Sequence, residues 1–400
     1  MLCRICDSTK LTPVLDLGLQ PWANHFLNEI EVGHEPKYPL RLEYCNECCC
    51  VQLDYTVPKE VMFADHTYVS GTTKTLANHF LETARYVDQT FFADKKSKAI
   101  LDIGSNDGTQ LKQYKTLGFK TLGVESCRRV AEMAVADGIE TRIEYFNEEN
   151  ARQIDRKFEI INASGVFFHL EELHSAAKAV KHLLADDGVF VVQFLYMKSI
   201  IENLAFDQIY HEHLLYYTLQ TVEKLLVRHG MSSFDCYLSP IHGGSIILLA
   251  THKGKRQKSE RLGQMLKEEE QAQTNNIETY KKFAKRVEKM RDDTLSFLQS
   301  KKKEGKKIFG FGAPVKGNTF LNYCQIGTQY LDCLVEKNPL RRGLYSPGMH
   351  LPLVLEDELK QTPDVYFVLA WNFKQEILKN NQDLISKGVE FFFPVDPGIK

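Results

Sequence analysis

Hydrophobic and polar positions change rhythm several times along the chain. Up to about Tyr68 the apolar runs are short and interrupted by the turn signals Asp16-Leu-Gly18, Gln20-Pro21 and Lys37-Tyr-Pro39, a pattern that predicts short strands. From Thr72 the periodicity predicts a helix over Leu76 to Phe92, then short apolar strands at 99–103, 121–124, 158–161 and 188–192 with helical stretches between them. Such alternation specifies a parallel sheet wound with helices. Between Ser259 and Lys303 the text turns highly charged, while Ile277, Tyr280, Phe283, Val287, Met290 and Leu298 recur near helical spacing. This predicts a long amphipathic helix or helix pair whose charges form a solvated face. The last segment resumes the alternation with strands over 307–310, 330–335, 365–370 and 390–393, so a second, smaller open sheet is expected. The expected class is α/β, with units at 1–71, 72–252 and 253–400.

Four hundred residues exceed what one hydrophobic core usually organises, which agrees with several units. A formal charge of -2 provides no global field to attract nucleic acid or an anionic membrane, so neither is an expected partner. No basic segment followed by an apolar run opens the chain, and no stretch reaches the roughly 18 to 20 apolar residues of a membrane span. A cytoplasmic protein is expected. In that reducing compartment the ten cysteines call for an explanation other than disulfides. Cys3-Arg-Ile-Cys6 and Cys45-Asn-Glu-Cys48 supply one: each CxxC turn directs two thiolates at one ion, and the pair completes a tetrahedral zinc shell. A closed shell makes the zinc structural, the staple that so small a core needs. Cys49 or Cys50 can stand in for Cys48, but Cys48 keeps the two-residue gap.

Ala99-Ile-Leu-Asp-Ile-Gly-Ser-Asn-Asp-Gly108 reads as a buried strand, a glycine-rich turn and a helix start. Gly104 lets the chain bend and Gly108 brings the helix close to a ligand. Glu125 ends the next strand, about twenty residues on, where an acid reaches a ribose diol. A dinucleotide loop needs a small residue where this one has Asn106, and the acid Asp107 disfavours a phosphate. The loop suits S-adenosylmethionine, which has a sulfonium cation and no phosphate. Asp102, Gly104, Asn106, Asp107, Gly108 and Glu125 are the candidate cofactor residues.

Asp207-Gln-Ile-Tyr-His-Glu-His-Leu-Leu-Tyr-Tyr217 follows the fourth strand, near where ligands bind in open α/β sheets. His211, His213, Glu212 and Tyr210 supply bases and polarising donors in one run. In an extended segment the two histidines point to one side with Glu212 opposite; in a helix they diverge. A second glycine loop, Phe309-Gly-Phe-Gly-Ala-Pro-Val-Lys-Gly-Asn318, again joins a strand to a helix. Its amides with Lys316 suit a diphosphate, making Lys316, Asn318 and Gly312 candidate substrate residues. The alternative use of that loop is nicotinamide binding in a nucleotide-sugar oxidoreductase.

Taken together, the four-cysteine pair, LDIGSNDG, FDQIYHEHLLYY, His242-Gly-Gly-Ser245, GFGAPVKGNTFLNYC and Glu336-Lys-Asn-Pro339 with Ser346-Pro-Gly348 resemble the sugar C-methyltransferases of deoxysugar biosynthesis nearly end to end. That resemblance implies a zinc domain, a central Rossmann-like S-adenosylmethionine methyltransferase domain and a C-terminal Rossmann-like domain. It also implies C3 methylation of a 4-keto sugar linked to a nucleoside diphosphate by a monomer or weak homo-oligomer; methylation at another carbon or at oxygen is the variant reading. His213 is then the base, with Tyr210 and Glu212 beside it and Tyr68 and His169 approaching the sugar. Departures from the family pattern are His66 in place of a tyrosine, Ser164-Gly165 in place of an asparagine pair, Gln193 in place of a glutamate, and no arginine after Ser245.

Overall fold

The computed structural model describes residues 1–63, 68–72 and 74–396, so His66 lies outside it. Three sheets organise these residues. The first is antiparallel, with Leu11–Pro21, Lys37–Cys45, Val51–Leu53 and Leu215–Tyr216 in that order. Its fourth strand comes from the tyrosine-rich end of the histidine segment, more than 160 residues beyond the third. Neither length nor periodicity announces a two-residue strand, so this pairing was not expected.

The second sheet has seven strands ordered Met231–Ser239, Ser245–His252, Leu184–Leu195, Phe158–Ser164, Ala99–Ile103, Lys120–Glu125 and Thr141–Ile143. The five from Leu184–Leu195 onward are parallel, as their helical crossovers require. The first two are antiparallel, a difference from the all-parallel expectation. A short return through Pro240 to Gly244 joins them, and so short a connection permits only an antiparallel pair.

Five parallel strands form the third sheet, ordered Leu353–Leu355, Leu334–Glu336, Ile308–Phe311, Val365–Val368 and Glu390–Phe392. Leu353–Leu355, three residues long, was not expected. The charged stretch resolves into a helix pair, Glu260–Gln271 and Ile277–Lys303, with the second start capped by the Asn276 side chain on the Glu278 amide. Tyr280, Phe283, Val287 and Leu298 are buried, as their spacing predicts.

The loop after Pro21 ties the first sheet to the third. Leu27 and Tyr345 exchange backbone hydrogen bonds of 2.9 and 2.8 Å, Glu35 accepts from the Gly348 amide and from His350, and Asn318 donates from its amide to the Ala23 carbonyl at 2.7 Å. Asn318 is buried, so removing its donor leaves a carbonyl without compensation from water. Asn318→Ala is therefore expected to cost about 1–3 kcal/mol, seen as a lowered thermal midpoint; an unchanged midpoint would show that the Ala23 tie contributes nothing.

Candidate active site

The Sγ atoms of Cys3, Cys6, Cys45 and Cys48 all lie within 4.8 Å of one another, with Cys3 and Cys48 3.4 Å apart and Cys6 and Cys45 3.6 Å apart. Thiolates about 2.3 Å from a tetrahedral centre stand roughly 3.8 Å apart, so the set fits zinc. Cys50 turns its Sγ toward the Val51 carbonyl, and neither it nor Cys49 belongs to the four-sulfur group. Lys224 donates to the Cys48 carbonyl at 2.9 Å and Arg228 to the Ile5 carbonyl at 2.6 Å, which docks the knuckles on the helix Leu219–Arg228.

At the first glycine loop, Gly104 has φ +66°, and a Cβ there would lie 2.6 Å from a Val166 methyl, so only glycine fits. Gly108 has φ +74° and its absent Cβ makes room for Ala134 and Ile139; its glycine serves helix packing. Glu125 accepts from the Asn106 amide at 2.9 Å and from the Cys127 amide at 2.8 Å. Asn106 in turn accepts from the Ser70 amide and donates to the Tyr68 carbonyl, and Asp107 accepts from the amides of Gly71 and Thr109. The turn thus brings the Asp107 and Glu125 carboxylates together with Asn106 and the Tyr68 backbone, and two anionic groups with no cationic partner of their own in these bonds fit a cationic ligand. Asp102 lies deeper, accepting from Asn162 at 2.6 Å, and burial pushes its carboxyl up to about 7. His79, which the sequence reading passed over, meets Gln193 Oε1 at 2.9 Å near the end of the Leu184–Leu195 strand.

The histidine segment is neither extended nor helical. After a short 3-10 turn over Phe206–Gln208, the His213 amide bonds back to the Tyr210 carbonyl, and the chain then enters the strand Leu215–Tyr216. The two imidazoles consequently have separate surroundings. His213 packs against Tyr210, Phe168 and His169 at ring distances of 3.9, 4.7 and 5.1 Å, whereas His211 meets the edge of Tyr38 at 5.7 Å. His213 Nδ1 lies 2.8 Å from the Gln208 carbonyl. A carbonyl only accepts, so Nδ1 carries the proton and Nε2 is the basic nitrogen. Burial, with Glu212, Tyr216 and Tyr68 close by, drives the Tyr210 phenol well above its usual range, so it stays a neutral donor. Burial lowers His211 to about 4. Glu212, buried among Trp22 and Asn24, is pushed up to about 7 despite the 2.7 Å bond from Trp22 Nε1.

At the second glycine loop, Gly312 has φ +79° and passes within contact of Ala370. Lys316 donates to Asn372 at 2.9 Å and lies 3.5 Å from the centre of the Trp371 ring; burial lowers it to about 8 against the pull of Asp207. The Asn318 amide is committed to Ala23. Glu336 ends the strand beside this loop, the usual place of a ribose-binding acid, but Arg341 pairs with it at 3.0 Å and the amides of Lys337 and Asn338 take its other oxygen.

Family models match along most of the chain: a zinc binding domain over residues 3–63, a methyltransferase domain over 77–232 and a C-methyltransferase C-terminal domain over 240–396. The C-methyltransferase NovU of Streptomyces niveus is 28% identical over 400 residues, covering 98% of this chain and 95% of its own. The chain resembles the C-methyltransferases along nearly its whole length. It is an S-adenosylmethionine-dependent methyltransferase with a zinc-binding domain, which sets aside the oxidoreductase alternative. Among solved structures, magnesium protoporphyrin IX methyltransferase from Synechocystis PCC 6803 with bound SAM aligns with 46% of this chain and 87% of its own, at 13% identity and a TM-score of 0.34. An S-adenosylmethionine-dependent methyltransferase from Clostridium acetobutylicum ATCC 824 aligns with 44% and 100%, at 17% identity and 0.33. These likenesses are too slight to carry an argument. Among the described residues no helix is long and apolar enough to cross a membrane.

Zinc removal is expected to loosen the first sheet. Chelation of the purified protein, or Cys45→Ser, should lower the thermal midpoint and expose the chain before about Tyr55 to protease, with zinc restoring the chelated sample; a midpoint indifferent to chelator would refute a structural ion. Glu212 sets a pH dependence. Its carboxyl titrates higher in the fold than the 4.5 of an ordinary glutamate, so its stabilising contribution is full below about pH 4.5 and lost as pH rises through about 7. The thermal midpoint of wild type should therefore fall relative to that of Glu212→Gln across this window, and parallel curves would contradict the raised value.

Proposed function

We propose that this C-methyltransferase methylates the carbon beside the ketone of a nucleoside-diphosphate-linked 4-keto sugar, with His213 as the base. The observation that carries the reading is the hydrogen bond from His213 Nδ1 to the Gln208 carbonyl, because it fixes the tautomer with a basic Nε2 on a ring packed against Tyr210 and His169. A ketone acidifies the neighbouring C–H. His213 takes that proton, and the neutral Tyr210 phenol, with Tyr68 nearby, donates a hydrogen bond to the enolate oxygen; assistance of this kind is worth about 10² to 10⁴ in rate. Bound S-adenosylmethionine supplies an electrophilic methyl group. Asp107 and Glu125 would hold that cation at the turn from Gly104 to Gly108, with Asn106 fixing the turn and Asp102 supporting it. Holding the reacting atoms roughly 3–3.5 Å apart contributes much of the remaining acceleration.

His169 borders the sugar, Glu212 and His211 shape the segment around the base, and Lys316 meets the diphosphate beside the turn formed by Gly312 and Asn318. Lys316 is the cation of that turn, and its place on the Trp371 face beside Asp207 puts it next to the histidine segment. NovU's standing as a C-methyltransferase supports carbon as the acceptor. The cysteines outside the zinc set form no disulfide among the described residues, which supports a cytoplasmic protein, and a monomer or weak homo-oligomer completes the reading.

Two outcomes are expected. With a thymidine-diphosphate 4-keto-6-deoxysugar in deuterated water, wild type should exchange the C3 proton even without methyl donor, and His213→Ala should lose exchange and methyl transfer by at least about 10² while still binding S-adenosylhomocysteine in calorimetry. Wild-type turnover in His213→Ala would end the assignment. Glu125→Ala should weaken S-adenosylhomocysteine binding about tenfold or more, since a hydrogen bond to a charged group is lost and the Asn106 amide is released; unchanged affinity would remove Glu125 from the cofactor site.

A further inference from the structure

The chain contains only two tryptophans. Both indole N–H groups donate to buried carboxylates of the same short segment: Trp22 Nε1 to Glu212 at 2.7 Å, and Trp371 Nε1 to Asp207 at 2.6 Å. An indole has one donor and no acceptor, so the direction of each bond is fixed. The two come from opposite flanks. Trp22 sits in the loop following the Leu11–Pro21 strand, within the zinc binding domain match, and Trp371 in the turn after the Val365–Val368 strand, within the C-terminal domain match.

We propose that Trp22 and Trp371 are positioning residues that grip the His213 segment through Glu212 and Asp207, so that the placement of the base depends on both flanking domains. The inference rests on reading His213 as the base. Each indole is itself held. Gly243, with φ +82°, packs so closely on Trp371 that a Cβ would lie 2.4 Å from the ring, and Lys316 covers the ring at 3.5 Å while donating to Asn372. Trp22 stacks on His25 with ring centres 6.1 Å apart, and Asn24 joins it at Glu212. The groups facing Glu212 are thus Trp22, Asn24 and Tyr210; those facing Asp207 are Trp371, Lys316 and Tyr210. A hydrogen bond to a carboxylate inside a dry site is stronger than one between neutral groups, and a flat ring with two rotatable bonds loses little entropy in making it. Between the two anchors lie Gln208, whose carbonyl sets the His213 tautomer, and Tyr210, whose ring lies against it.

Two tryptophans give two indole N–H resonances. In zinc-loaded full-length protein labelled with ¹⁵N-tryptophan, assigned with Trp22→Phe and Trp371→Phe, Glu212→Gln should move the Trp22 resonance and abolish its change between about pH 6 and 8, leaving Trp371 in place. Asp207→Asn should act on Trp371 alone, which keeps the test open should either phenylalanine variant fail to fold. A Trp22 resonance indifferent to Glu212→Gln overturns the clamp. In methyl transfer to the keto-sugar, Trp22→Phe should lower kcat about tenfold with KM for S-adenosylmethionine unchanged, and less than about twofold in a Glu212→Gln background. Equal losses in both backgrounds overturn the positioning role. If wild type turns over no keto-sugar, the substrate reading fails and the resonances still decide the clamp.

Discussion

Val51 and Gln52 pair antiparallel with Tyr216 and Leu215, and the Leu53 amide bonds to the Leu214 carbonyl at 3.0 Å. Through this ladder the zinc-bearing sheet becomes one wall of the candidate site. A two-residue strand cannot hold itself; it is stable because the sheet it completes is stapled at Cys3, Cys6, Cys45 and Cys48 and because Leu215 and Tyr216 are buried. The Leu214 amide meanwhile bonds to the Phe168 carbonyl, in the loop after the Phe158–Ser164 strand that also carries His169. The histidine segment is thereby pinned between the end of a parallel sheet, where an open α/β fold binds its ligand, and a metal-stapled sheet that has no catalytic position of its own.

Electrostatics divides the site in two. Around the first glycine loop, Asp107 and Glu125 are surrounded by backbone N–H groups, which keep carboxylates satisfied without supplying a competing cation. Around the histidine segment, burial dominates: it raises Glu212 and Tyr210 and depresses His211, so neutral forms are favoured on both sides of His213. On the mechanism proposed above, a charged methyl donor would sit beside a largely neutral acid–base pocket, a distribution that suits attack by an enolate carbon because charge is consumed as the methyl group moves.

Much of this was legible in the sequence where chemistry and local structure coincide. CxxC spacing reveals a metal site because the ligands are neighbours in the chain, and the LDIGSNDG run reveals a turn because strand, glycines and helix are contiguous. Expected strands at 99–103, 158–161 and 365–370 appear within two residues or as parts of longer strands, because continuous apolar runs mark buried parallel strands. What could not be read has a common cause. Trp22 and Glu212 are 190 positions apart, as Trp371 and Asp207 are 164, and no periodicity links them. The antiparallel pair at 231–252 is buried along most of its length, so it lacks the alternation that distinguishes such strands. The orientation of His211 away from His213 depends on a turn at Tyr210 that no residue type in the segment demands.

The C-terminal sheet has the geometry of a dinucleotide-type scaffold, but the chain itself occupies its ribose end. Strand, Gly312 turn and helix are in place, and Glu336 stands where an acid would receive a ribose. Arg341, however, neutralises Glu336, hydrogen-bonds the Ala313 carbonyl and lies over the Phe26 ring at 4.1 Å, so the mouth of that loop is filled by a side chain and by a residue of the first domain's loop. A cofactor there would have to break a partly buried ion pair and displace Phe26. The same contacts that exclude it bring Ala23, Leu27 and Glu35 onto the third sheet. The contacts that occupy the Glu336 end of this cleft are therefore continuous with those that join the first-domain loop to the third sheet beside the histidine segment.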